Sequence, residues 1–281
     1  MLLGKNLLFR GNVHTQLVNL DRDHPGFRDR EYRARRDAIA RIALEHRPNH
    51  SVPEAPYTDE EHGVWRVILQ ALKPLHARWV CSELNRVQEE MALDTERIPQ
   101  LAWVNTVLAP ISGFAMVPAA GLATPRTFLE ELADSRFLST QYIRHHSKPL
   151  YTPEPDVVHE LVGHAASLTH PDIVALSRAF GRAAKRSGER SLMRLIQAYW
   201  YTLEFGAVEE NGQIKAYGAG LLSSAGELAR FTTETELRPW DIERIADTSF
   251  DPTDYQPQIY VVSSFEVMVT ELGAWLESIH S

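Results

Sequence analysis

Cysteine is almost absent from this sequence of 281 residues, because Cys81 is the only one. No intramolecular disulfide can form, and a structural zinc site built on several thiolates is excluded as well. A chain without disulfides suits a reducing compartment, so the cytoplasm is the expected location.

Long apolar runs and an excess of positive charge are absent too. Residues 1–10 lack the continuous apolar stretch of a signal peptide, and no later run has the length that spans a bilayer. The sequence has 29 Lys and Arg residues against 37 Asp and Glu residues, so its formal net charge is -8. Nucleic-acid binding normally needs a concentrated basic face. We therefore expect neither a membrane nor a nucleic acid as a partner.

The remaining composition is typical of a globular protein. Hydrophobic residues make up 44% of the sequence and charged residues 23%. The length is sufficient to bury one substantial core, and the sequence has no internal repeat. We expect residues 1–281 to form a single compact domain.

Signals for helix starts occur along much of the chain. Thr58 and Glu61 have the spacing of a capping box before an apolar-periodic run, and Pro74 should end or kink that run to give a pair of helices. Thr124 as N-cap and Pro125 at the first helical position predict another helix. Apolar residues at helical spacing predict a last helix over residues 264–278.

The sequence predicts only a small β component. Asn211 and Gly212 lie between alternating residues of the segment 207–217, which is typical of a hairpin. The glycine-rich segment 218–226 lacks the lysine of a phosphate-binding loop and the spacing of a dinucleotide site, so we interpret it as a tight turn. The predicted fold class is mainly α (α+β), a helical domain with a small β-hairpin element.

A pair of histidines and a later carboxylate suggest a metal site. His159 and His164 lie five residues apart, which is about 140° around an ideal α-helix, so a regular helix would splay them. The zinc motif His-Glu-x-x-His has its histidines four residues apart, and a zinc protease is therefore disfavoured. The metal would have to lie near a helix end, or the turn would have to be distorted, with Gly163 as a plausible place.

Glu204 strengthens the metal interpretation. It falls at the edge of an apolar stripe over residues 192–203, where an ionised carboxylate is costly unless a cation compensates its charge. Two imidazoles and one carboxylate leave half of the coordination sphere free, as a non-heme iron(II) centre that binds oxygen requires. On the residues alone, structural histidines remain the alternative. We expect the other histidines considered, His145, His146 and His170, to lie at the surface or in loops.

Several motifs together resemble the catalytic domain of the pterin-dependent aromatic amino acid hydroxylases, especially the single-domain bacterial members. The matching segments are QYIRH (141–145), KPLYTPEPD (148–156), HELVGH (159–164), YWYTLEFG (199–206) and KAYGAGLLSS (215–224). The resemblance extends from about residue 23 to the C-terminal helix. It implies a helical catalytic domain with iron in a central cleft, and no regulatory domain or tetramerisation helix.

The resemblance also implies which residues form the site. Iron(II) would be held by His159, His164 and Glu204, and Ser223 would orient His159 through a hydrogen bond. Tetrahydropterin would be the second cofactor and O2 the co-substrate. The implied pterin side consists of Gly121, Leu122, Phe128, Glu160 and Tyr199, with Glu160 and Ser223 as the candidate catalytic residues. The implied substrate side consists of Arg144, Thr152, Pro155, Trp200, Phe205, Gly220 and Ser223, where Arg144 would pair with the substrate carboxylate.

The implied reaction is the hydroxylation of L-phenylalanine to L-tyrosine, and the implied partner is a small aromatic amino acid. We expect a monomer or a small homo-oligomer. Leu138, Ile196 and Ala225 depart from residues common in the family, so hydroxylation of phenylalanine at carbon 3 and hydroxylation of tryptophan at carbon 5 remain alternatives. Trp200 favours phenylalanine over tryptophan, because the tryptophan enzymes usually have a smaller ring there. A zinc hydrolase and a non-catalytic binding protein are more remote alternatives.

Overall fold

The structure is a computed structural model, and it describes residues 20, 22–47, 50–150, 152, 154–252 and 254–279. Residues 1–10, which we examined for a signal peptide, lie outside the described residues. The α-helices are α1 (Arg30–Glu45), α2 (Asp59–Trp79), α3 (Ser82–Met91), α4 (Leu101–Ser112), α5 (Pro125–Ala133), α6 (Pro171–Arg186), α7 (Glu189–Tyr199), α8 (Ala219–Leu222), α9 (Ala225–Arg230), α10 (Ile242–Ala246) and α11 (Phe265–Ser278). The strands are β1 (Ala115–Pro118), β2 (Arg136–Ser139), β3 (Ala207–Glu210), β4 (Gln213–Ala216), β5 (Glu236–Pro239) and β6 (Gln258–Val262). Two π-helices, His159–Ala165 and Trp200–Glu204, complete the elements, and the predicted mainly α fold class is confirmed.

The helix α2 continues through Pro74, so the prediction of two helices divided at this proline is wrong. Proline lacks the N–H that would bond to the carbonyl of Gln70, and both residues are exposed. Water can therefore hydrogen-bond to the freed carbonyl, and the helix loses one bond without ending. The predicted capping box is confirmed, because Thr58 Oγ1 accepts the Glu61 N–H and the Glu61 carboxylate accepts the Thr58 N–H.

The other predicted helix starts are also confirmed. Thr124 caps α5 by accepting the N–H of Thr127, and Pro125 occupies the first turn. Ser264 caps α11 by accepting the N–H of Val267. In both helices the apolar side faces the core, with Leu129 and Leu132 buried in α5.

The sheet content exceeds the predicted single hairpin. β3 and β4 form that hairpin, and φ is 53° at Asn211 and 72° at Gly212, the positive values that a type I′ turn requires. β6 pairs in parallel with both β3 and β5, which gives a four-stranded sheet of order β4-β3-β6-β5. β1 and β2 form a separate parallel pair. The added strands are only four or five residues long, too short for their alternation to stand out in the sequence.

One continuous apolar core joins the helices to the sheets. The tightest helix packing is between α5 and α6, where a Cβ on Gly181 would lie 2.1 Å from the Ala133 nitrogen. Only glycine allows this approach of α6 to the end of α5. Among the described residues, none of the helices combines the length and the apolar character needed to cross a bilayer.

Candidate active site

The two histidines share one face because they lie on a π-helix. In the segment His159–Ala165 the backbone bonds run from residue i to i+5, so residues five apart are stacked one turn above the other. The Nε2 atoms of His159 and His164 are 3.0 Å apart. The sequence prediction of a distorted turn is therefore confirmed. A Cβ on Gly163 would lie 2.7 Å from the Ala219 carbonyl oxygen, so glycine at this position lets the π-helix pack closely against α8.

A second π-helix brings Glu204 to the histidines. The helix α7 ends at Tyr199, and the π-turn Trp200–Glu204 rotates the carboxylate from the edge of the apolar stripe toward the cleft. Glu204 Oε1 lies 2.9 Å from His164 Nε2, and Oε2 lies 3.5 Å from His159 Nε2. All three side chains offer a donor atom to one point, with the donor atoms within 4.8 Å of one another.

Burial and their mutual contacts shift the pKa values of all three side chains. Burial lowers the pKa of His159 to about 4, so this imidazole is neutral. Burial raises the pKa of Glu204, but the two histidines and the hydrogen bond from His164 together outweigh it, and the net pKa is lowered. Burial opposes the charge on His164, yet the adjacent Glu204 raises the pKa of that histidine. Two imidazole nitrogens and an ionised carboxylate that converge in a buried site are the donor set of a two-histidine, one-carboxylate metal centre.

Ser223 fixes the tautomer of His159. Its Oγ donates to the Ala219 carbonyl oxygen at 2.8 Å and lies 3.0 Å from His159 Nδ1. Because the hydroxyl proton is used on Ala219, the oxygen accepts a proton from Nδ1, and the lone pair of His159 remains on Nε2. The contact implied by the family resemblance is therefore present.

Replacing Ser223 should weaken metal binding without preventing folding. We expect Ser223→Ala to lower the affinity for Fe(II) or Co(II) by about 10- to 100-fold, the usual effect of removing a partner of a ligand histidine. Isothermal titration would measure it. Ser224→Ala is the matched control, because Ser224 caps α9 and should cost about 1 kcal/mol of stability with no change in metal affinity. Equal affinities for the two variants would contradict the role of Ser223.

Aromatic rings fill the space on the α5 side of the cluster. Phe137 lies 4.5 Å from the His164 ring and 5.3 Å from Phe128, measured between centroids, and Phe128 lies 5.5 Å from Tyr199. Phe128 is half-buried, so part of its ring remains exposed. Phe137 was not predicted as a site residue. It lies on strand β2, which has four residues and is too short for an alternating pattern to be recognised in the sequence.

Glu160 points inward, which the sequence left undecided. Its Oε1 accepts the backbone N–H of Thr140 at 3.1 Å and the Thr140 hydroxyl at 3.0 Å. Burial raises the pKa of Glu160 to about 7. The loop before α5, which contains Gly121 and Leu122, is more open: a Cβ on Gly121 would touch nothing within 4 Å, and Leu122 is 43% exposed. The loop therefore leaves open space at Gly121 and an exposed apolar side chain at Leu122.

Arg144 is held by a partner that the sequence did not identify. Its Nε and Nη2 donate to the two oxygens of Asp156 at 2.8 Å each, and its backbone N–H donates to the same carboxylate. Both side chains are buried. Burial would raise the pKa of Asp156, but the guanidinium outweighs it and the net pKa is lowered. The bidentate pair fixes the plane of the Arg144 guanidinium.

The remaining substrate-side residues frame the cleft. Thr152 and Pro155 lie in the half-buried loop before the first π-helix, where Thr152 Oγ1 donates to the Glu154 carbonyl. Glu154 in turn pairs with the buried Arg36 of α1. The loop is therefore tied to the N-terminal part of the described chain.

Trp200 and Phe205 stand at the two ends of the second π-helix. Their rings are 4.7 Å apart, and Trp200 stacks on Phe250 at 4.2 Å with an angle of 10° between the planes. A Cβ on Gly220 would lie 2.5 Å from the Phe205 ring, so glycine is needed for this packing. Gln256 accepts the Trp200 indole N–H at 2.8 Å, a contact that no pattern in the sequence predicts.

One expectation from the sequence is wrong: the segment after Gly218 is not a tight turn but the short helix α8 followed by the capped helix α9. His145 and His170 lie in loops, as expected, but both are buried: His145 bonds to Asp29 and Ser147, and His170 caps α6. His146 is exposed, as expected.

Glu227 of α9 is a buried carboxyl group with an unused oxygen. Its Oε1 accepts the backbone N–H of Gln256 at 3.0 Å, whereas Oε2 has no hydrogen-bond partner among the described residues. Burial raises the pKa of Glu227 to about 7, with Arg230 and Asp254 as the nearby charges. The group therefore gains a proton far more readily in the folded chain than in the unfolded chain.

This raised pKa predicts a pH dependence of stability. Between about pH 4.5 and pH 7 the unfolded chain loses the Glu227 proton before the folded chain does, so the free energy of unfolding falls as the pH rises. We expect Glu227→Gln to be more stable than the parent by roughly 1 to 3 kcal/mol at about pH 8 and equal to it near pH 4. Denaturant unfolding at both pH values measures this. A stability difference that does not change with pH would contradict it.

Comparison with known proteins agrees with this geometry. The mainly helical fold carries a buried cluster of two histidines and one carboxylate that could hold a single metal ion, with aromatic rings beside it. Residues 8–281 match the family model described as biopterin-dependent aromatic amino acid hydroxylase. The chain belongs to this family, which confirms the resemblance seen in the sequence.

The chain is similar to enzymes that are named for different aromatic amino acids. It is 39% identical over 264 residues to a tyrosine 3-monooxygenase of Schistosoma mansoni and 38% identical over 277 residues to a phenylalanine-4-hydroxylase of Caenorhabditis elegans. These matches cover 92% and 97% of this chain, but only 57% and 61% of the relatives. A chloroplastic phenylalanine 4-monooxygenase of Pinus taeda is 39% identical, with 94% of this chain and 75% of that protein covered.

A solved bacterial structure has the same fold. The phenylalanine hydroxylase of Chromobacterium violaceum with bound iron(III) and 7,8-dihydrobiopterin superimposes with a TM-score of 0.76 and 29% identity. The match covers 85% of this chain and 89% of that one. The neighbour thus contains both kinds of cofactor that the family resemblance implies.

Proposed function

We propose that this chain is an iron(II)- and tetrahydropterin-dependent monooxygenase that uses O2 to convert L-phenylalanine to L-tyrosine. The observation that carries the proposal is the convergence of His159, His164 and Glu204 beside an aromatic-walled cleft. Phenylalanine is favoured as the substrate because the bacterial structural neighbours are phenylalanine hydroxylases that match over most of both chains.

The residues of the cluster would hold the iron on one side. With a metal bound, His164 would lose the proton that Glu204 favours, so that both histidines would supply neutral nitrogens and Glu204 a negative charge. Three protein ligands would leave coordination positions for oxygen and water. When bound, the iron and the pterin together supply the reducing electrons and the oxygen activation. Ser223 keeps the His159 lone pair on Nε2.

The substrate side would bind the amino acid at both of its ends. Arg144, fixed by Asp156, would bind the carboxylate, because a guanidinium matches carboxylate geometry. Trp200 and Phe205 would contact the ring, and Gly220 allows Phe205 to stand close to α8. Thr152 and Pro155 would close the loop side and exclude water from the reacting ring.

The pterin side would lie between the loop of Gly121 and Leu122 and the rings of Phe128 and Tyr199. Phe128 would stack on the pterin, and Glu160 would hydrogen-bond to it. With a pKa near 7, Glu160 can donate or accept a proton at neutral pH. This is the catalytic role that we propose for it.

We further propose that residues 1–281 act as one catalytic domain, as a monomer or a small homo-oligomer in the cytoplasm. The single continuous core supports one domain. Size-exclusion chromatography with light scattering would measure the assembly.

The test is a product assay with L-phenylalanine, iron(II), O2 and a tetrahydropterin. We expect para-tyrosine as the main product, formed only when both iron and pterin are present. Meta-tyrosine as the main product, or no turnover of phenylalanine, would contradict the proposal. L-tyrosine and L-tryptophan are tested in parallel, because some relatives are named tyrosine 3-monooxygenases.

A further inference from the structure

The orientation of the Trp200 ring is set by two different contacts. Phe250 stacks on one face of the indole, with the ring centroids 4.2 Å apart, which fixes the height and tilt of the ring. Stacking alone still permits the ring to swing and slide within its own plane through small changes of χ1 and χ2, since the contact is nearly equal in all in-plane directions. The bond of 2.8 Å from Nε1–H to Gln256 Oε1 removes this freedom.

Gln256 is an unusually rigid acceptor for a glutamine. It is 3% exposed, and its Nε2 donates to the carbonyl oxygens of Asp251 and Asp254 at 3.0 and 3.1 Å. Its backbone N–H donates to Glu227 Oε1 at 3.0 Å, and its carbonyl oxygen accepts the Thr235 hydroxyl at 3.2 Å. All polar groups of the residue are therefore used, and the position of Oε1 follows from these bonds.

The hydrogen-bond partners that hold Gln256 in place come from three parts of the chain. Glu227 belongs to α9, Thr235 lies just before β5, and Asp251 and Asp254 lie in the loop between α10 and β6. This loop also contains Phe250, the stacking partner of Trp200. The loop and the indole are thus a single hydrogen-bonded and stacked unit beside the cleft.

We propose that Gln256 is a positioning residue that sets the in-plane orientation of Trp200 and thereby determines which carbon of a bound aromatic amino acid faces the metal. Gln256 acts only through Trp200, because its side-chain oxygen is directed to the indole and its side-chain nitrogen to the loop. This inference rests on the proposed function, in which Trp200 contacts the substrate ring.

The test removes the acceptor without changing the length of the side chain. Gln256→Met should raise KM for L-phenylalanine by roughly tenfold, because it removes the acceptor of the Trp200 N–H together with the two Nε2 bonds that hold the acceptor in place. The fraction of meta-tyrosine should rise, while kcat for total hydroxylation and iron content change little. In the Trp200→Phe background, which has no indole N–H, the same substitution should have almost no further effect. Fully additive effects of the two substitutions would overturn the proposal.

Gln258→Met is the matched control. Gln258 is two residues further along the chain, and its Nε2 bonds to the Tyr201 hydroxyl at 3.1 Å, so it contacts the neighbour of Trp200 rather than Trp200 itself. We expect the ratio of meta-tyrosine to para-tyrosine formed by Gln258→Met to equal that of the parent. An altered ratio for Gln258→Met as large as that for Gln256→Met would show a general packing effect and overturn the proposal.

A spectroscopic measurement on the unmodified chain does not depend on turnover or on a variant that folds. The Trp200 indole N–H, assigned by its loss in Trp200→Phe, should give a downfield nitrogen-proton resonance that exchanges slowly with water. Exchange as fast as that of Trp103, which is 41% exposed, would overturn the proposal. If the parent chain instead fails to hydroxylate phenylalanine but this N–H is protected, the proposed function fails while the contact itself stands.

Discussion

Glu204→Gln should abolish both iron binding and hydroxylation. The substitution keeps the size of the side chain and removes the negative charge that balances a cation between His159 and His164. Removing an outer partner of a ligand usually costs 10- to 100-fold in metal affinity, so loss of the ligand itself should cost at least roughly 100-fold. We expect activity below about 1% of the parent value. Metal analysis after dialysis, together with the product assay, measures both quantities.

The control for this substitution is Glu209→Gln. Glu209 lies five residues further along the chain, on β3, and is exposed. It should retain the parent iron content and activity. Thermal unfolding of both variants without metal separates loss of the site from loss of the fold. Retention of iron and activity by Glu204→Gln would remove Glu204 from the proposed ligand set.

The three candidate metal ligands could be predicted from the sequence because each lies in a recognisable local pattern. His159 and His164 lie within six residues, and their spacing excluded a regular α-helix without revealing which distortion occurs. Glu204 stands out as a carboxylate at the edge of an apolar stripe. The π-turns that bring these side chains together depend on packing, such as the close approach of Gly163 to Ala219. No periodicity in the sequence encodes that approach.

The partners of the site residues were not predictable in the same way. Asp156 holds Arg144 from 12 residues away, and Gln256 holds Trp200 from 56 residues away. Each partner is an ordinary polar residue in a loop, and only the folded chain makes it adjacent to its target. The family resemblance implied which residues contact the ligands. The residues that orient those side chains were found only from the hydrogen bonds in the structure.

Arg144→Lys should remove recognition of the substrate carboxylate while preserving the metal centre. Lysine keeps the positive charge but has a single ammonium group, which stays with the buried Asp156 and no longer presents a planar donor to a second carboxylate. Hydrogen bonds to charged groups contribute roughly 1.5 to 3 kcal/mol, so we expect kcat/KM for L-phenylalanine to fall by about 10- to 100-fold, mainly through KM. Steady-state kinetics and metal analysis measure this outcome.

An analogue without a carboxylate tests whether Arg144 binds that group of the substrate. If the residue binds the substrate carboxylate, 2-phenylethylamine should bind to the parent chain and to Arg144→Lys with nearly equal affinity, because neither complex contains that contact. Arg136→Lys is the matched control, since Arg136 pairs with Glu131 and Asp134 on the exposed side of β2. An unchanged KM for L-phenylalanine in Arg144→Lys would mean that the Arg144 and Asp156 pair only supports the loop before His159. The binding of the amino acid backbone would then have to be assigned to other residues.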